Sequence, residues 1–170
     1  MIEMRVMGIA LDTRTGSPIV VLNDTDNRKA LPMWIGSAEA SAIIRKIENI
    51  KSTRPMTHDL FIDIANQSEY KITKIEINDV DDQTYFSSIY MYNEELNKEI
   101  QIDSRPSDAI AVALRADVPI YVTDNVLATG LVSTDVEKDE QEALEFKNFV
   151  KDIKPSDFEK LLKKDFESDQ

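Results

Sequence analysis

Three β-forming segments, Lys71–Val80, Tyr85–Tyr92 and Glu99–Ile102, follow one another with only the polar turns Asp81-Asp82-Gln83-Thr84 and Asn93–Lys98 between them. A parallel crossover needs on the order of a dozen residues, so connections this short force antiparallel pairing. A second set precedes it: Met4–Leu11 and Pro18–Leu22 joined by Thr13-Arg14-Thr15-Gly16-Ser17, then Ala30–Ile35 after Asn23-Asp24-Thr25-Asp26-Asn27. Between the two meanders, Ser37–Ile50 places Ile43, Ile44, Ile47 and Ile50 at helical spacing, and a shorter helix begins near Thr57. A third helix starts at Pro106 and leads to Val118-Pro119-Ile120-Tyr121-Val122, which reads as a buried strand delivered by a βαβ-like crossover. The predicted class is α+β (mixed α/β): largely antiparallel sheets with packed helices, and a C-terminal helical appendage.

At 170 residues and 42% hydrophobic, the chain is long enough for a proper core and short for two ordinary domains. We divide it into a domain over residues 1–135 and an acidic helical extension over 136–170. In the extension, Glu137–Val150 carries Leu144, Phe146, Phe149 and Val150 on a charged helix that should dock on the body. Ser156-Asp157-Phe158-Glu159 opens a further helix with Leu161, Leu162 and Phe166, a possible contact for a protein partner. Met1-Ile2-Glu3-Met4-Arg5 lacks the basic start and apolar core of a signal peptide, and no apolar run reaches about 18 residues, so a cytoplasmic protein without a membrane span is expected. Without cysteine there is no disulfide framework and no thiolate metal site. Only four glycines are present, and neither a phosphate-binding glycine loop nor a G-x-S-x-G elbow occurs.

Chemistry concentrates at helix starts. Asp103-Ser104-Arg105-Pro106-Ser107-Asp108 precedes the helix-forming run Ile110–Ala116, with Pro106 suited to its first turn. Arg54-Pro55-Met56-Thr57-His58-Asp59 has the same layout, and Ser37-Ala38-Glu39 opens a third helix after Trp34-Ile35-Gly36. A helix N-terminus presents unpaired N–H groups and partial positive charge to a phosphate, and Arg54 or Arg105 could add a guanidinium clamp, with Ser107 as a hydroxyl donor. His58, the one histidine, is a natural general acid or base. Capping alone, with Ser37, Ser104 or Ser107 as N-caps and acids complementing the dipole, is the alternative. Trp34 could stack on a base or serve as a buried or interface residue, and Tyr90 and Tyr92 share one strand face. Asp124-Asn125, just past a strand end, is a weaker site candidate.

The blocks Leu31-Pro-Met-Trp-Ile-Gly-Ser-Ala-Glu, Arg54-Pro-Met-Thr-His-Asp-Leu and Asp103-Ser-Arg-Pro-Ser-Asp-Ala-Ile, in this order, resemble the hallmark blocks of the bifunctional nuclease family over roughly residues 3–150. The resemblance implies a nuclease acting on both DNA and RNA in a domain of mixed α and β structure.

The net charge of −12 runs against that expectation, because sequence-independent affinity for nucleic acid comes from Lys and Arg. Divalent ions held by carboxylates would reconcile the two, with Glu39, Asp59, Asp103 and Asp108 as ligands for Mg²⁺ or Mn²⁺. The mechanism expected has Asp59, Asp103 and Asp108 holding the ions, His58 assisting proton transfer and Arg54 and Arg105 gripping phosphate. A non-catalytic regulatory or protein-interaction module with an acidic surface is the alternative, and an anion sensor using the same helix ends a third. A homodimer or higher homo-oligomer is expected on base rates of assembly.

Overall fold

The computed structural model describes residues 1–133 and 140–152. β1 (Ile2–Asp12), β2 (Pro18–Asp24) and β3 (Lys29–Trp34) form an antiparallel meander. After α1 (Ser37–Ile47) and α2 (Thr57–Gln67), a second meander is built from β4 (Lys71–Asp81), β5 (Thr84–Asn93) and β6 (Lys98–Ser104). Asp81 pairs with Thr84, and Asp82 and Gln83 both adopt positive φ (42° and 65°). Positive φ at both central residues gives a two-residue turn whose twist matches that of the flanking strands.

The two meanders join through one short strand. From β6 the chain crosses the sheet as α3 (Pro106–Ala116) and returns as β7 (Ile120–Val122), parallel to β4 and antiparallel to the first residues of β1. α4 (Asp124–Gly130), β8 (Val132–Ser133), α5 (Glu140–Phe149) and β9 (Val150–Asp152) follow. Among the described residues the sheet has nine strands, ordered β6-β5-β4-β7-β1-β2-β3-β8, with β9 paired to the end of β1. The mostly antiparallel pairing with packed helices makes the protein α+β.

One sheet face carries the main core. Met4, Leu22, Leu31, Met33, Ile75 and Ile77 are fully buried there with Ile43 of α1 and Ile110 and Val112 of α3. α2 packs outside α3, and Ala65 is its one fully buried residue. The other face is divided. Over the first meander, Phe146 and Phe149 of α5 pack on Ala10, Ile19, Val21 and Ala30, so β2 is buried on both sides. Over the second meander the same face is polar, with Glu76, Ser88 and Gln101 on it.

Two local boundaries differ from the sequence reading. α1 stops at Ile47 rather than Ile50, because Asn49 turns into the left-handed region at φ 53° and leaves Ile50 exposed. The N-caps of α1, α2 and α3 are Gly36, Met56 and Arg105, not the neighbouring serines, and none makes a conventional side-chain oxygen cap. Pro106 does occupy the first turn of α3. The helix read from Ser156 lies outside the described residues.

Candidate active site

The first turns of three helices meet through four side chains. Arg105, at the N-cap of α3, donates from Nε to Asp108 Oδ2 (2.7 Å) and from Nη1 to Glu39 Oε1 of α1 (2.8 Å). Asp108 Oδ1 faces His58 Nε2 of α2 at 3.0 Å. A carboxylate can only accept, so Nε2 carries the proton, and in the neutral ring Nδ1 holds the free lone pair. Among the described residues Nδ1 has no hydrogen-bond partner, and His58 is largely buried, at 14% exposure. This is the arrangement of a base oriented by an acid. Gly36 makes room for it, since a Cβ there would collide with Glu39 Oε2.

Electrostatics sort the carboxylates. Burial alone would raise the Asp108 carboxyl, but hydrogen bonds from Arg105 and His58 hold it below its ordinary range. Asp59 follows the same logic: burial opposes ionisation, and bonds from Met56 N–H (2.8 Å) and Arg115 Nε (2.7 Å) outweigh it. Both oxygens of Asp59 are therefore engaged away from His58, in bracing the start of α2.

The other residues proposed from sequence fall elsewhere. Asp103 is exposed on β6, opposite Ser88, and strand alternation directs it to the polar sheet face, whereas Ser104 turns inward to the buried Ser87 hydroxyl at 3.0 Å. It does not join Asp108. Trp34 also alternates away from the core side, where Met33 lies; it stacks edge-on against Phe149 (5.6 Å) and donates from Nε1 to Asp12 Oδ2 (3.2 Å). Ser107 is buried, at 6% exposure. Arg54 is exposed four residues before His58 and has no ion pair among the described residues. Asn125 donates to Asp79 Oδ1 of β4 at 2.7 Å, and Asp124 pairs with the N-terminal ammonium of Met1 at 2.6 Å.

The carboxylates offered as metal ligands do not fit a shared ion. Asp108 and Asp59 have both oxygens occupied, Glu39 is bound by Arg105, and Asp103 faces away; among the described residues no three His, Asp or Glu side chains are grouped to hold a metal. Of the two tyrosines on one strand face, Tyr90 donates from Oη to Glu76 Oε2 (3.0 Å) with Lys74 over its ring, and Tyr92 donates from Oη to Asn97 Oδ1. Arg115 was not foreseen as part of this region. Its signal was present, since it lies seven residues after Asp108 on the same helical stripe and ends an apolar run.

The protein is thus an α+β domain whose three helix N-termini are joined by Glu39, Arg105, Asp108 and His58. The bifunctional nuclease domain matches residues 20–135, and the chain belongs to that family. An uncharacterised protein of Mycobacterium tuberculosis is 34% identical over 165 residues, covering 92% of this chain and 97% of that protein. "Bifunctional nuclease 1" of Oryza sativa subsp. japonica is 25% identical over 118 residues, covering 68% of this chain and 35% of that protein. "Bifunctional nuclease 2" of Arabidopsis thaliana is 24% identical over 107 residues, covering 62% and 32% respectively. No described helix is long and apolar enough to cross a membrane.

Proposed function

We propose that the protein is a cytoplasmic nuclease that hydrolyses phosphodiester bonds of DNA and RNA at the relay joining Glu39, Arg105, Asp108 and His58. The observation that carries the reading is the His58–Asp108 pair, with Nε2 fixed by the carboxylate and Nδ1 left to take a proton from water. Arg105, 66% exposed, and Arg54, exposed nearby, supply the positive charge for phosphate oxygens on an otherwise acidic chain. Family membership and the names of the plant relatives support the substrate class. Because the carboxylates make no donor set, no step is assigned to a metal ion.

The test is cleavage of labelled single-stranded DNA and RNA at low salt, with Mg²⁺, with Mn²⁺ and with EDTA, comparing the wild type with His58→Ala and Asp108→Asn. Cutting that disappears in both variants supports the reading. No cutting by the wild type, or equal cutting by all three, overturns it.

A protein-interaction module is the second reading, favoured by the net charge of −12 and by Leu60 and Ile64, which stand more than half exposed on the outer face of α2. A partner bound there, and lost on Leu60→Ser, without any cleavage, would establish it.

A further inference from the structure

We infer that Arg115 is a positioning residue for His58, holding the turn of α2 that carries the imidazole in register with Asp108; this rests on the nuclease reading for its kinetic consequence, though not for its structural one. Arg115 is a buried guanidinium, at 7% exposure, and such a charge is tolerated only when paired and fully hydrogen-bonded. Its three nitrogens each donate to a different helix: Nε to Asp59 Oδ1 of α2 (2.7 Å), Nη1 to Ala111 O of its own α3 (2.9 Å) and Nη2 to Ala42 O of α1 (3.0 Å). The side chain is the inner tie among the same three helices whose outer tie is Arg105.

The consequence follows from sequence spacing. Asp108 and Arg115 are seven residues apart on α3 and share a stripe, while His58 and Asp59 are consecutive on α2. The start of α2 therefore straddles α3 at two points, His58 on Asp108 and Asp59 on Arg115. Apolar packing fixes this end only in part, through the half-buried Phe61 and Ile62 against the core. Ala65 is the only buried residue of α2, and Leu60 and Ile64 face outward. With Asp59 held by Arg115 and by the Met56 N–H, the turn carrying His58 is braced in the register that sets its imidazole on Asp108. Without Arg115, the register of α2 on α3 loses one of its two polar contacts.

The experiment uses the full chain with Arg115→Gln, Arg115→Lys, Asp59→Asn and the double variant Arg115→Gln/Asp59→Asn. On a single-stranded DNA oligonucleotide, kcat should fall about 10- to 100-fold in Arg115→Gln, as misplacement of a reacting group does. KM should stay within about threefold, because phosphate contacts are untouched. The double variant should be no worse than the poorer single one, since both act through one bond. Asp59→Asn is nearly isosteric and carries the test should Arg115→Gln fail to fold. His58 is the only histidine, so its ring ¹⁵N signals are read without ambiguity. The wild type should show the Nε2-protonated form, and the Arg115→Gln and Asp59→Asn rings a mixture of tautomers with dispersed amide signals retained. Unchanged ring signals in these variants would overturn the inference, whatever the kinetics. A wild type that cuts no nucleic acid would defeat the proposed function, and the ring signals would still decide the role of Arg115.

Discussion

Arg105 and Asp108, three residues apart at the start of α3, are joined Nε to Oδ2 at 2.7 Å, and the same guanidinium is shared with Glu39 at 2.8 Å. The cation best placed to receive a phosphate is therefore already neutralised by two acids. A phosphate must displace one of them, and Glu39, which arrives from a different helix and makes a single bond, is the more replaceable.

Opposite effects follow for the two partners. Arg105→Ala should raise KM for single-stranded DNA about tenfold and reduce the slope of log affinity against log salt by about one, the signature of one lost phosphate contact. Glu39→Gln should lower KM about threefold by releasing Nη1. Steady-state kinetics at several salt concentrations read both, and a fall in affinity in Glu39→Gln would show that the carboxylate helps to present Arg105 rather than competing for it.

Asp103 and Asp108 offer the sharpest contrast in a site read from sequence. Asp103 lies on the polar sheet face, opposite Ser88, and Asp108 under His58. Asp103→Asn should keep cleavage within about twofold, whereas Asp108→Asn should lose about 100-fold in kcat by removing the acid that orients the base. Parallel assays of the two purified variants check this; equal losses would place substrate across both faces of β6.

What was legible from sequence, and what was not, divides at the same residues. The meanders were readable because alternation and turn chemistry are local: Asp82 and Gln83 make the β4–β5 turn where the pattern put it. The convergence of helix starts depends on how α1, α2 and α3 pack, which no local signal encodes. The placement of Asp103 was hidden because proximity in sequence to Arg105 conceals the period-two strand that sends Ser104 inward and Asp103 outward. Trp34 could not be assigned to a face from sequence alone; Met33 takes the core side of β3, and Trp34 lies half exposed on the other side against Phe149. Arg115 was legible only as a charge at the end of an apolar helix, seven residues from an acid.

The depressed carboxyls of Asp59 and Asp108 fix the sign of an acid effect. In the unfolded chain each should titrate near its ordinary value of about 3.9, and in the folded chain lower. Their contribution to stability is thus complete above the unfolded value and is lost as pH falls through the folded one. Urea midpoints should decline below about pH 4, and the decline should be shallower in Asp59→Asn, which has no such group to protonate. An equally steep decline in that variant would assign the acid sensitivity to other carboxylates.

Gly36 tests the relay without touching its charges. A Cβ there would collide with Glu39 Oε2, the far end of a flexible side chain, so the carboxylate can move at little cost to the fold. Gly36→Ala should therefore change stability by no more than about 1 kcal/mol while shifting KM in the same direction as Glu39→Gln. Thermal melts and kinetics on one preparation separate the two effects, and a loss of several kcal/mol would mean that the N-cap geometry, not Glu39, is what the glycine protects.

Trp34, the only tryptophan, reports on α5. Its indole meets the Phe149 ring at 5.6 Å, its Nε1 donates to the buried Asp12 carboxylate, and Arg14 lies 5.3 Å over the same phenyl ring. Phe149 and Phe146 cover Ala10, Ile19, Val21 and Ala30, the face of the first meander opposite the proposed active site. Phe149→Ala should destabilise the fold by about 2 kcal/mol, less than a fully buried phenylalanine because the ring is only partly enclosed. It should also move the emission of the already half-exposed Trp34 further to longer wavelength, as the ring against its indole is removed. Cleavage should be retained, since the relay of Glu39, Arg105, Asp108 and His58 is assembled on the other side of the sheet. A red shift with activity intact separates the two faces; loss of cleavage at temperatures where the variant stays folded would show that α5 governs the active site through β1 and β3.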